Sequence, residues 1–365
     1  MRIGILGTRG IPNRYGGFEE FAEQVCKCWA DEGHEVFVYC EDKMQKEPFK
    51  YQNVFQEHIK PSRLSGLQQI VYDYRCTKHA LNLDLDIIYH AGYASAVIGN
   101  ILLKQKLKGR LVYNMDGLEW KRSKFNGITR WITKQLEKAA ATSGARLVSD
   151  NKGIKEYLLT EYKVDSTLIE YGAKKFEIEP KLYSRYPECF DLVIARFEPE
   201  NHIKEIIAAY ENINYRTLVL VANKETNLYK KLGNRIDRLP NVIFNGPIYD
   251  KEELAFLKKN CRYYIHGHSV GGTNPSLLEA LAAGCSILIH ANEFNRDVVQ
   301  EHALSWDSQS SLEMLIAANV KRVTSIKEQQ KYCSERFDWQ IISQKHLDLF
   351  QNMMYNSFIF TPKES

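Results

Sequence analysis

The sequence predicts an α/β protein built from two domains of similar size. Three observations carry this expectation. The chain opens on an apolar strand, a glycine-rich loop, a helix and a second strand; the same alternation restarts after residue 190; and 365 residues suffice for two ordinary cores. A β–loop–α–β order calls for a parallel sheet with right-handed crossovers, so each half reads as a doubly wound, Rossmann-like domain.

Taken in order, residues 2–7 form the first strand, and a loop rich in glycine (Gly7, Gly10, Gly16, Gly17) follows. A helix from about Phe18 to Glu32 closes at Gly33-His34 and leads to a strand at Val36–Cys40. Helical stretches near 66–82 and 94–107 separate strands at Ile87–His90 and Leu111–Met115. A helix around Ile128–Ala141 precedes a strand at Ala145–Ser149. These elements fill a first domain, 1–170. Residues 171–189, with Gly172, Pro180 and Pro187, read as a linker. The second domain, 190–340, alternates strands (Phe190–Ala195, Thr217–Ala222, Val242–Phe244, Tyr263–His266, Ser286–His290) with helices (Asn201–Glu211, Lys251–Lys259, Asn274–Ala283). Residues 341–365 read as a C-terminal helix or tail able to pack back on the first domain. Two such domains facing each other would line a cleft with the C-terminal ends of both sheets.

Composition narrows the class. Apolar residues make up 44% and charged residues 26%, a soluble globular profile. A net charge of +4 is too modest to argue for nucleic acid, and no apolar run is long enough to span a membrane. The N-terminal apolar stretch meets Arg9 and Arg14 at once, so it reads as a core strand instead of a signal peptide. The eight cysteines are scattered, and Cys26-Lys27-Cys28 matches no common zinc or redox spacing, which predicts a reduced, cytoplasmic protein.

Two loops are suited to phosphate. In 266–285, Gly271-Gly272 allows close backbone approach, Thr273 or Asn274 caps a helix, and Pro275 takes its first position. Such a helix end offers unpaired N–H groups, and Glu279 lies about one turn in, where it could accept hydrogen bonds from a ribose. A well-capped strand–loop–helix unit is the plain alternative. Loop 7–17 has the wrong glycine spacing for a dinucleotide fingerprint, which disfavours a simple NAD enzyme. Gly16-Gly17 before a helix again suits a phosphate, with Arg9 and Arg14 adding charge. Arg196, at a strand end, could grip phosphate oxygens in two places or pair with Glu198 or Glu200. Asp84-Leu85-Asp86 has a metal-binding spacing but precedes a strand, so it reads as a polar turn. Of His266 and His268, alternating along a strand end, His268 is the better candidate to face a ligand.

The Gly16-Gly17 loop, the Arg196 loop and the stretch ending Leu278-Glu279-Ala280-Leu281-Ala282-Ala283-Gly284 together resemble GT-B glycosyltransferases of family 4. The opening GTRGIPNRYGGFEEF and the segment Asp116-Gly117-Leu118-Glu119-Trp120-Lys121-Arg122 are similar to a branch with a DUF1972-type N-terminus, which includes rhamnosyltransferases of bacterial cell-wall and capsular polysaccharide assembly. The resemblance covers most of the chain. It implies a GT-B fold and retaining transfer from a nucleoside-diphosphate sugar, with no metal and no further cofactor. It also implies that Gly16, Gly17 and Arg196 hold the diphosphate, Glu279 the ribose, and His268, Gly271, Gly272, Thr273 and Asn274 the phosphate or sugar. The chain departs from the family where a glutamate usually grips the donor sugar, here Gly271, and where a lysine follows the arginine loop, here Asn201. Fewer sugar contacts favour a deoxysugar, with dTDP-rhamnose the leading donor; a UDP-hexose or UDP-N-acetylhexosamine is the alternative.

On the acceptor side, His90 and Asp116 end first-domain strands. Asp116 could orient or deprotonate an acceptor hydroxyl; His90 is either a catalytic neighbour or a strand-end residue. Arg9, Arg14, Glu119 and Arg122 complete that side. Trp120, Lys121, Arg122, Ser123, Lys124, Phe125, Trp131 and Lys134, with Lys43, Lys46, Lys50 and Lys60, mix aromatics and cations. That mixture suits a lipid-diphosphate-linked saccharide and peripheral contact with the inner face of a membrane, or is simply a solvated face. A nucleotide-sugar epimerase and a non-catalytic nucleotide-sugar-binding protein are the rival readings.

Overall fold

The strand β1 (Arg2–Leu6) places Ile3 and Ile5 on one face, and both are fully buried. In the computed structural model, which describes residues 1–14, 16–41, 50–62, 66–122, 125–177 and 181–359 (356–359 by backbone alone), that face meets the helix α1 (Gly17–Asp31). Phe21, Ala22, Val25, Cys26 and Trp29 recur at helical spacing and are buried against it. Gly33, at φ 84°, ends the turn after α1 in the left-handed region, which glycine adopts without strain. Lys43, Lys46, Ser123, Lys124 and Pro180 lie outside the described residues.

The chain divides into two units. The first comprises Met1–Lys121, Phe125–Gly172 and the chain from Trp339 on. After β1 and α1 it runs through β2 (Glu35–Glu41), β3 (Lys50–Tyr51), β4 (Val54–Ile59), α2 (Gln68–Asn82), β5 (Ile87–His90), α3 (Ala96–Leu102), α4 (Lys104–Leu107) and β6 (Leu111–Asn114). It continues with α5 (Gly127–Ala141), β7 (Arg146–Ser149), α6 (Lys152–Tyr162) and β8 (Thr167–Leu168). The sheet order is β3-β4-β2-β1-β5-β6-β7-β8, parallel apart from the short β3, with Ile3 beside Val36 and Ile5 beside Tyr89.

The second unit comprises Arg122 and Ala173–Asp338. It contains β9 (Asp191–Ile194), α7 (Ile203–Asn212), β10 (Leu218–Val221), α8 (Asn227–Ile236), β11 (Val242–Asn245), α9 (Lys251–Asn260) and β12 (Tyr264–His266). Then come α10 (Pro275–Ala282), β13 (Ile287–His290), α11 (Glu293–Val299), β14 (Ala303–Trp306), α12 (Gln309–Ala317) and α13 (Ile326–Phe337). Its parallel sheet runs β11-β10-β9-β12-β13-β14. Ile265 and Leu288 face α7 in one core, so alternation turns Tyr264 and His266 toward the opposite layer.

The last helix, α14 (Trp339–Ile359), belongs to the first unit. Trp29 Nε1 donates to Ser343 O at 3.2 Å, and the Trp29 and Phe350 rings meet edge-on at 5.3 Å. Gly172 is required beneath Trp339, because a Cβ there would lie 2.3 Å from the indole. The segment read as a linker carries a buried Tyr186, stacked on Phe256 at 5.9 Å, so its later part is built into the second unit.

Candidate active site

In a doubly wound sheet, ligands bind where the strand order reverses, beyond the C-terminal strand ends. In the second unit the reversal lies between β9 and β12. The loops that leave those strands carry Arg196 and 267–274.

These loops are sewn together through Asn201. Its Nδ2 donates to Arg196 O at 2.8 Å, and its Oδ1 faces His268 Nδ1 at 3.0 Å. His268 Nε2 faces Val270 O at 2.8 Å. Ser269 N and Oγ both donate to Glu200 O, at 3.0 and 3.1 Å. Gly267 lies so close to this loop that a Cβ would sit 2.0 Å from Asn201 O. From the other side, Asn292 and Asn295 amides donate to His268 O at 3.0 and 2.7 Å. Asn201 thus ties the Arg196 loop to the loop that follows β12. Arg196 is exposed and has no ion-pair partner among the described residues; Glu198 and Glu200 do not engage it.

The helix α10 opens as its sequence suggests, with Asn274 as cap and Pro275 next. Its first turn offers fewer unpaired N–H groups than expected. Pro275 has none, Ser276 N donates to Asn274 Oδ1 at 3.0 Å, and Leu277 N donates to Asn274 O at 3.1 Å. An anion at this end would therefore meet the amides of the preceding 271–274 loop. Gly271 and Gly272 are both left-handed there, at φ 69° and 49°, and Thr273 is buried. Glu279 is exposed, and its carboxylate is gripped by the buried Lys258 ammonium from α9. Sequence reasoning missed Lys258; its signal is a lysine on the buried face of a helix. Tyr264 and His266 stack nearly parallel behind this loop.

In the first unit, α1 begins at Gly17 with no side-chain cap on its first amides, and Gly16 is exposed. Gly17 O accepts from Tyr171 OH at 2.8 Å. The preceding loop is held by carboxylates of α1 itself. Glu19 accepts from Arg9 N at 2.9 Å, Glu23 from Asn13 N at 2.7 Å, and Glu20 from Asn13 Nδ2 at 2.9 Å. Arg9 and Arg14 remain exposed. Asp116, Glu119 and Arg122 are half-buried. Their segment lies against Tyr93 OH, 3.3 Å from Gly117 O, and Lys134, 4.6 Å over the Trp120 ring. Behind it, the buried carboxylate of Glu137 accepts from the hydroxyls of Tyr93, Tyr157 and Tyr162.

His90 is a correction. Its ring is fully buried, 3.2 Å from Thr77 Oγ1 and against Tyr113, and burial pushes its pKa down to about 3. Side chains of a strand alternate between its two faces, and this one points into the α2–α3 layer. Asp84 pairs with Arg110 at 2.7 Å and Asp86 accepts from Arg2 N, so this pair shapes a turn.

Residues 1–174 match the family described as domain of unknown function (DUF1972), and residues 176–337 match glycosyl transferases group 1. The chain is a glycosyltransferase. An uncharacterized glycosyltransferase of Methanocaldococcus jannaschii is 18% identical, over 93% of this chain and 95% of the relative. Among solved structures, sucrose-phosphate synthase from Thermosynechococcus elongatus aligns with a TM-score of 0.82 at 16% identity, covering 97% of this chain and 99% of that one. The Anabaena protein Alr3699/HepE, solved with UDP and glucose, aligns with a TM-score of 0.73 at 15% identity, covering 96% and 98%. These likenesses establish the GT-B fold of this glycosyltransferase.

Proposed function

We propose that this glycosyltransferase transfers a sugar from a nucleoside-diphosphate donor to a lipid-linked saccharide, with retention at the anomeric carbon and without a metal. The observation that carries the donor side is the Asn201 bridge, which sets the unpaired Arg196 beside the 267–274 loop. Arg196 and the backbone amides of 271–274 would take the charge that develops on the leaving diphosphate, which fixed donors do without reorganisation. Glu279, oriented by Lys258, would bind the ribose hydroxyls. The acceptor hydroxyl would attack from the face the diphosphate leaves, its proton passing to a leaving phosphate oxygen, with Asp116 orienting the acceptor. Gly16 and Gly17 remain candidates to bind phosphate, and Arg9, Arg14, Glu119 and Arg122 candidates to bind the acceptor.

The donor sugar we favour is a 6-deoxyhexose such as rhamnose, from dTDP-rhamnose, in cell-surface polysaccharide assembly. Gly271 brings no side chain to the pocket, which suits a sugar with fewer hydroxyls to hold. Support for a lipid-linked acceptor at a membrane surface comes from the first unit. Ile101, Leu102, Ile128 and Trp131 on the contacting helices α3 and α5 are 52%, 75%, 74% and 65% exposed. The stretch 96–134 that holds them carries nine basic and two acidic residues in its sequence. No helix among the described residues is long and apolar enough to cross a membrane.

A thermal-shift panel of dTDP-rhamnose, UDP-glucose, UDP-N-acetylglucosamine, UDP-galactose, GDP-mannose and NAD tests the donor side. One nucleotide sugar is expected to raise Tm, and Arg196→Ala to abolish that rise. A response to none of them, or to NAD alone, would overturn the reading.

A further inference from the structure

The Asn201 bridge is one proton short. Arg196 O, the Asn201 amide, the His268 ring and Val270 O form a line of three contacts whose two ends are carbonyl oxygens. Three contacts need three N–H groups along the line. The amide supplies one and a neutral imidazole one. Turning the amide over does not help, because its oxygen would then face Arg196 O. Either way one contact sets an acceptor against an acceptor, at a hydrogen-bonding distance. Only an imidazolium, with N–H on both nitrogens, completes the line.

We infer that His268 takes up a proton when the donor diphosphate arrives and then serves as the second cation beside Arg196, the charge that Asn201 itself lacks. The inference rests on the nucleotide-sugar reading above. In the free protein, burial is the main influence keeping the ring neutral, with its pKa lowered to about 4. Arg196 and Arg122 also oppose its charging, while Glu200 and the Val270 carbonyl favour it. His266, with its ring centroid 6.2 Å away on β12, is itself held neutral by burial. A diphosphate at Arg196 reverses the local balance of charge, and an anion within a few ångströms stabilises the imidazolium. The bridge gives that imidazolium two acceptors already in place.

Proton uptake reads this directly. UDP, dTDP and GDP are titrated calorimetrically at neutral pH in buffers of different ionisation enthalpy. Binding of whichever nucleotide is accepted should carry an uptake of up to about one proton, and affinity should weaken as pH rises. His268→Gln should lose the uptake. Asn201→Asp should bind nucleotide yet also lose it, because a carboxylate beside Nδ1 holds the ring protonated beforehand. Nucleotide binding without uptake, or with equal uptake in His268→Gln, would overturn the inference and leave the nucleotide-sugar reading standing. Binding by none of the three would overturn both. Should His268→Gln fail to fold, the imidazole nitrogen NMR shifts of the wild-type ring, with and without nucleotide, report the same protonation.

Discussion

Gly271 shows how a single backbone angle restricts chemistry. At φ 69° followed by Gly272 at 49°, the loop commits two successive residues to the left-handed region. A side chain at 271 would crowd its own carbonyl, so a glutamate there would be strained. Gly271→Glu is expected to cost about 1–2 kcal/mol of stability. It should not confer turnover of a fully hydroxylated hexose donor. Urea denaturation and a transfer assay with UDP-glucose check both halves, and a stable variant with new hexose activity would overturn the argument. The same scale explains His90 and Asn201. Both stand at positions whose sequence neighbours suggest ligand contact, yet His90 faces the core and Asn201 works through its neighbours.

The element α10 was legible from its residues because capping is local: Asn274, Pro275 and the apolar run after them specify where the helix starts. The acids Glu19, Glu20 and Glu23 that hold loop 9–13 were visible as residues but not as anchors, since their partners lie on a loop that folds back. The strand β3 escaped notice because it spans two residues, and β4 and β14 because polar residues interrupt their apolar ones; pairing along the sheet holds β4 and β14. The Lys258–Glu279 contact joins α9 to α10 across 21 residues and has no local signature. It carries a prediction of its own. Lys258→Met keeps the packed stem and removes the charge, so Glu279 loses its fixed orientation. The donor KM should rise roughly 10-fold, about 1.4 kcal/mol, with kcat little changed. An unchanged KM would mean Glu279 does not touch the donor.

Across the whole molecule, buried histidines and an exposed apolar patch make separate demands. Burial lowers the pKa of His90 and His266 to about 3 and of His268, His290 and His346 to about 4. Their unfolded value is about 6.5, so below that pH the unfolded chain binds more protons than the folded one. Stability from these groups is complete above about pH 6.5 and is lost as pH falls through about 4 toward about 3. Tm should drop through that window, and a flat profile would mean the rings charge without unfolding. The patch on α3 and α5 makes the opposite kind of demand, because its apolar side chains remain in water. Single exposed apolar residues are ordinary, but Ile101, Leu102, Ile128 and Trp131 lie on two helices in contact, within a stretch of the chain rich in basic residues. Apolar contact with an anionic bilayer would cover the side chains while the lysines meet the headgroups. Co-sedimentation with phosphatidylglycerol vesicles should therefore be measurable at low salt, fall at high salt, and be absent with phosphatidylcholine alone. Ile128→Glu with Trp131→Glu, both at the surface, should abolish it without lowering Tm. Equal sedimentation of that variant would assign the binding to charge alone and remove the patch from the acceptor side.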